Sequence, residues 1–163
     1  MLSETLRLLL FSLSLGALVG MVRQWADQKA LEGESDEEPV AGLRTYALWS
    51  LLGALAVYCT ETYHLSAFPV VLALFGIYLT AAFVLQFPME GGLGLTSYSV
   101  GLITFLLGGL VMWGEPRMAF AIASAVCVLI AAKKYAHAFT HRLRGEDVRL
   151  TLQFLVVTGI ILP

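Results

Sequence analysis

The sequence predicts an all-α polytopic transmembrane helix bundle of about six spans, with its N-terminus outside. Three observations predict it: an excess of apolar residues, their grouping into helix-length runs, and a one-sided placement of lysine and arginine. Of the 163 residues, 58% are hydrophobic and only 13% are charged, and the mean hydropathy is +0.80. Soluble domains are typically about 45–50% apolar and about 25% charged. A chain of this length folded in water would leave much apolar surface exposed. A bilayer removes that cost. The net charge of -2 says little about partners, because the charges are confined to a few loops.

A spanning helix needs roughly 20 largely apolar residues, with a usable range of about 17–25. The first run covers residues 6–22, and a polar stretch over 23–40 follows, ending in the acidic segment 32–39. The second run covers 43–60, with Glu61 and His64 in the break after it, and the third covers 67–87 and stops at Pro88. Glycines punctuate a turn at 89–94, and the fourth run covers 98–113. Residues 114–117 form a tight turn in which Pro116 is placed to start a fifth helix, expected over 118–132 and onward to His137. A basic connector at 138–149 leads to a sixth run, 150–163. That run is short for a full span, so the chain is expected to stop near the far membrane face or to be part of a larger protein. Two portions are expected: 1–97, with helices one to three and an acidic cytoplasmic loop at 23–42, and 98–163, with helices four to six and a basic cytoplasmic connector at 133–149. The runs are long and lack the alternation of barrel strands. Arg7 and the apolar run after it could mimic a signal peptide, but no small-x-small cleavage site follows, so the first helix is expected to be retained.

With six spans, the loops after helices one, three and five share one side, and that side holds Arg23, Lys29, Arg44, Lys133, Lys134, Arg142, Arg144 and Arg149. The other side holds only Arg7 and Arg117. The positive-inside rule then makes the richer side cytoplasmic. Helix contacts have their own signal. Gly16 and Gly20 form a GxxxG, which lets a neighbouring backbone approach closely. Gly101 and Gly108 share a face of helix four, and Ala121, Ala125 and Ala132 make a small-residue stripe on helix five. These faces serve packing within one bundle or the seam of a homodimer.

Few residues could carry chemistry. Cys59 and Cys127 fall inside apolar runs and read as buried free thiols. No zinc spacing, nucleophile elbow or phosphate loop occurs, so no enzyme activity and no cofactor are expected. Gly20 and Arg23 end helix one on the side where Gly42, Arg44 and Thr45 begin helix two. The two guanidiniums either snorkel to lipid phosphates or line a vestibule that takes an anionic group. Glu34, Asp36 and Glu37 offer oxygen ligands to hydrated magnesium, although a charge run in a loop is more often simply solvated. Glu61 reads as a boundary residue at the end of helix two. Lys133, Lys134, His137 and Arg142 suit the anionic inner leaflet, and a set this small and membrane-apposed does not suit nucleic acid.

Residues 15–23 (Leu-Gly-Ala-Leu-Val-Gly-Met-Val-Arg), an acidic insert, then residues 41–48 (Ala-Gly-Leu-Arg-Thr-Tyr-Ala-Leu) together resemble the MgtC/SapB family. Residues 51–55, continuing helix two, fit the same family. Residues 102–108, Gly114 with Glu115, Lys133 with His137, Glu146 with Asp147, and the final Leu162-Pro163 are similar to the second domain of its long-chain branch, of which the chain resembles the first half. One position departs: the family's first motif usually carries an acid where this chain has Val22. The resemblance implies residence in the bacterial inner membrane and a link to growth at low magnesium. The expectation is a non-enzymatic membrane protein supporting magnesium or ion homeostasis through contacts with lipid or other membrane proteins. The alternative is a small-ion channel or transporter acting as a homo-oligomer, or one half of a pseudo-symmetric carrier. The scarcity of charge inside the spans weighs against coupled transport.

Overall fold

Long apolar runs separated by glycine, proline and clustered charge favour helices. The computed structural model describes residues 2–31, 42–64, 66–86, 95–132 and 154. Among them stand five helices and no strand: α1 (Leu2–Leu31), α2 (Leu43–Tyr63), α3 (Ala67–Gln86), α4 (Leu95–Met112) and α5 (Pro116–Ala131). The chain divides into two compact units, Met1–Ile130 and Ala131–Pro163, and apart from the last residue of α5 the five helices lie in the first. Apart from Phe154, the expected sixth span and the basic connector lie outside the described residues.

Helix α1 runs well past residue 22, where the apolar run ends, and continues to Leu31. The extension has a local cause, since Arg23, Gln24, Trp25 and Ala26 include neither glycine nor proline. Arg23 does not end the helix, since arginine is itself a strong helix former, and its side chain is buried.

The ends of the other helices are set by identifiable groups. Gly42 caps α2, its carbonyl accepting from Thr45 N (3.1 Å) and Tyr46 N (3.3 Å). His64 closes α2 in the left-handed region at φ 54°, a conformation that histidine tolerates better than most side chains. The Thr60 hydroxyl donates to Ala56 O at 2.9 Å and accepts from Phe68 N at 2.8 Å, so one of the free amides at the start of α3 is satisfied. At the end of α4, Gly114 N donates to Val111 O (3.2 Å) and Glu115 N to Leu110 O (3.1 Å). This is the paired C-terminal motif that needs a positive φ, supplied by Gly114 at 84°. Pro116 then stands first in α5, where its missing N–H costs nothing.

Helix α2 is the centre of the bundle. One side meets α1, where Gly16 lies against the Tyr46 carbonyl and so close that a β-carbon there would fall 2.7 Å from Ser50 Cβ. Gly20 repeats the contact one turn on, 2.8 Å from Leu43 Cα by the same measure. The other side meets α4: Gly53 lies on the Phe105 carbonyl and Gly108 on the Ser50 carbonyl. Small residues thus bring three backbones into contact, the usual way helices gain dispersion energy in lipid. The GxxxG face of α1 is therefore occupied within the chain.

Aromatic rings attach α3. Trp49 of α2 and Phe75 of α3 stand 5.5 Å apart edge to face, and Phe75 stacks on Phe105 of α4 at 5.0 Å, separations favoured by ring quadrupoles. Helix α5 joins the core through Ala119, Ala123 and Val126, which cluster with Leu15, Val19, Leu107 and Val111. The buried stripe of α5 differs from the expected one, because Ala121 and Ala125 are exposed. Alanine occupies both faces of α5, so composition did not tell them apart.

The outer surface is apolar. Val70, Leu74, Ile77 and Leu85 of α3 and Val128 and Leu129 of α5 are exposed. Two stretches, Glu4–Ala26 and Ala67–Leu85, have the length and composition of a membrane span, and only 11% of the latter is buried in the bundle. A soluble core helix would be mostly covered, so this face calls for lipid. The span of α4 is shorter, 17 residues at Thr96–Met112, and α5 has 16. The described residues are thus all helical or connecting, and α1 and α3 carry stretches with the length and apolarity of membrane spans.

Candidate functional site

Arg23 is the one charged side chain buried among the described residues, with 8% of its surface exposed. Four positions of α1 place it on the same stripe as Ser12, Gly16 and Gly20, at steps of four, four and three residues. That stripe faces α2. Arg23 Nη1 donates to the Tyr46 hydroxyl at 3.3 Å, and that hydroxyl donates in turn to Ser97 O at 3.2 Å. One chain of hydrogen bonds therefore ties α1, α2 and α4 together. Tyr46 is fully buried, with its ring edge-to-face on Trp49 at 4.9 Å.

Hydrogen bonds to a charged group contribute about 1.5–3 kcal/mol net, roughly twice a neutral one. Burying a guanidinium is costly in lipid, and such residues face the bundle interior and mark functional sites by default. The Ser97 hydroxyl is also buried and has no hydrogen-bond partner among the described residues. A guanidinium's planar fork suits an oxyanion, a carboxylate or a phosphate oxygen.

The glycines of the expected motif shape this junction. Gly20 lets α2 begin directly against α1, and Gly42 lies beside Gln24, whose Oε1 would be 3.2 Å from a β-carbon there. Thr45 is half-buried in the first turn of α2. Arg44 is exposed and has no hydrogen bond or ion pair among the described residues. The structure thus brings Gly20, Arg23 and Gly42 together, and it leaves Arg44 on the surface. Further along the seam, Gly101 accommodates the Trp49 ring, 2.6 Å from a built β-carbon, and Gly108 meets Ser50.

This arrangement places the described parts of the two motif segments, 15–23 and 42–48, face to face. The model of the MgtC family matches residues 9–139, well over half of the chain. The chain belongs to the MgtC family. The match covers every member of the junction, from Ser12 to Ser97. Neither the comparison with curated proteins nor that with solved structures gives a match.

In this MgtC-family chain, Tyr46 and Ser97 are the junction residues that sequence reasoning missed. Tyr46 carried a signal, lying four residues after the helix-starting Gly42 and hence on the face of α2 that Ser50 and Gly53 share. Ser97 carried none, since a serine near a helix start usually reads as a cap. The metal candidates Glu34, Asp36 and Glu37 and the lipid-facing candidates Lys133, Lys134, His137 and Arg142 lie outside the described residues. Among the described residues no group of three or more histidine, cysteine or acidic side chains could hold a metal ion.

Proposed function

We propose that this chain is a non-enzymatic, multi-pass protein of the bacterial inner membrane that supports magnesium and ion homeostasis through contacts with partner proteins or lipids. The Arg23–Tyr46–Ser97 junction is its working centre. The observation that carries this reading is the burial of Arg23 between three helices, where its charge is held in place by the Tyr46 hydroxyl. A fixed guanidinium at a helix junction suits recognition of an anionic group on a partner or a lipid. The glycine contacts at 16, 20, 53 and 108 press the α1, α2 and α4 backbones together, which supports a contact role over conduction through this seam.

A homo-oligomeric small-ion channel or transporter is the second reading. The buried hydroxyls of Ser12, Ser50 and Thr104 along the seam favour it, since a path needs polar lining. Those hydroxyls are taken up by helix carbonyls, Ser50 O, Ser12 O and Val100 O, which weakens that support.

The test is growth of a bacterium lacking its own MgtC-family protein at limiting magnesium, with the chain supplied in trans. Arg23→Ala is expected to abolish the growth benefit at unchanged membrane protein level, and Arg44→Ala to keep it. Wild-type growth with Arg23→Ala would overturn the assignment of the junction.

A further inference from the structure

At the end of α1 remote from Arg23, the last turn of α2 and the α4–α5 reversal border an open cavity of about 1160 Å³. Its charged lining comes from three helices: Glu4 and Arg7 of α1, Glu61 of α2 and Arg117 of α5. None of the four makes an ion pair or side-chain hydrogen bond with another described residue. Leu8, Phe11, Met112 and Phe120 supply an apolar wall.

Two acids and two bases sum to no net charge, so the cavity as a whole favours neither a cation nor an anion. A molecule bearing both signs can satisfy both pairs. The apolar wall selects an amphiphile, and the volume exceeds the roughly 300–1,000 Å³ usual for small-molecule sites. Both arginines also belong to the sparse charges of the helix ends, where lipid headgroups lie.

We infer that this cavity binds a zwitterionic phospholipid with an amine-bearing headgroup. Its phosphate takes Arg7 and Arg117, its ammonium takes Glu4 and Glu61, and an acyl chain lies against Phe11 and Phe120. The inference rests on membrane residence alone and holds whether or not the chain acts in magnesium homeostasis.

The test is native mass spectrometry of the full chain in mild detergent. Dioleoyl phosphatidylethanolamine or dioleoyl phosphatidylglycerol is added separately, and magnesium chloride is then added to the lipid-loaded protein. One phosphatidylethanolamine is expected to be retained over phosphatidylglycerol by about fivefold, the worth of one extra charge contact near a membrane surface. Replacing both arginines, Arg7→Ala with Arg117→Ala, is expected to release both lipids. Glu4→Gln with Glu61→Gln is expected to abolish the preference and keep phosphatidylglycerol. Equal retention of the two lipids by the unmodified chain would overturn the inference without recourse to any variant. So would a preference that survives replacement of both acids, or displacement of the lipid by magnesium alone.

Discussion

Ser12 and Ser50 form a reciprocal pair: each donates its hydroxyl proton to the other's backbone carbonyl, at 3.0 Å and 2.8 Å, across the α1–α2 seam. Both side chains are fully buried. In lipid such interhelical bonds average about 0.6 kcal/mol and reach about 1.7. A double-mutant cycle with Ser12→Ala and Ser50→Ala, read by thermal unfolding in detergent, is expected to give a coupling in that range. Additive effects would show that the two hydroxyls act separately.

The glycine contacts make a sharper stability prediction. A β-carbon at Gly108 would lie 2.7 Å from the Ser50 carbonyl carbon, whereas nothing lies within 4 Å of one at Gly76. Gly108→Ala is expected to cost about 1–3 kcal/mol by overpacking. Gly76→Ala is expected to be neutral or to gain up to about 1 kcal/mol from reduced backbone freedom. Equal melting temperatures for the two variants would contradict the α2–α4 packing.

The helical character was legible from the length and apolarity of the runs. The start of α2, the end of α4 and the start of α5 followed from Gly42, Gly114 and Pro116, whereas α1 ran on past its apolar stretch to Leu31. The junction was legible only in part. Gly20, Arg23 and Gly42 stood out because glycine and arginine are conspicuous at a helix end. Their meeting with Tyr46 and Ser97 depends on which face α2 turns to α1 and α4, and a helix apolar on every side does not reveal that. The same limit explains α5, where Ala119 and Ala123 are buried and Ala121 and Ala125 are not. Arg44 looked equivalent to Arg23 in sequence, yet it sits on the outer face of the first turn of α2.

Tyr46 separates structural from merely local roles for its hydroxyl. Tyr46→Phe leaves Ser97 O without this donor and removes the hydroxyl that accepts from Arg23 Nη1. Losing buried hydrogen bonds of this kind costs about 0.5–3 kcal/mol, so a lower unfolding temperature is expected. The exposed Arg44 should tolerate Arg44→Ala within about 0.5 kcal/mol. A larger loss at Arg44 than at Tyr46 would reverse this ranking.

Orientation can be tested by side-specific thiol labelling. After Cys59→Ala and Cys127→Ala, single cysteines are introduced as Glu115→Cys and Asp36→Cys. An impermeant reagent added to intact spheroplasts is expected to label the first and to spare the second. Labelling of both, or only of the second, would invert or break the arrangement expected from lysine and arginine placement.

The central claim is that the chain acts through contacts at the Arg23 junction and does not conduct. The most direct measurement is magnesium and monovalent-cation flux into liposomes that hold the purified protein. No flux above that of protein-free liposomes is expected, at any voltage. A flux present in the unmodified protein and abolished by Arg23→Ala would contradict that claim and establish the junction as part of an ion path.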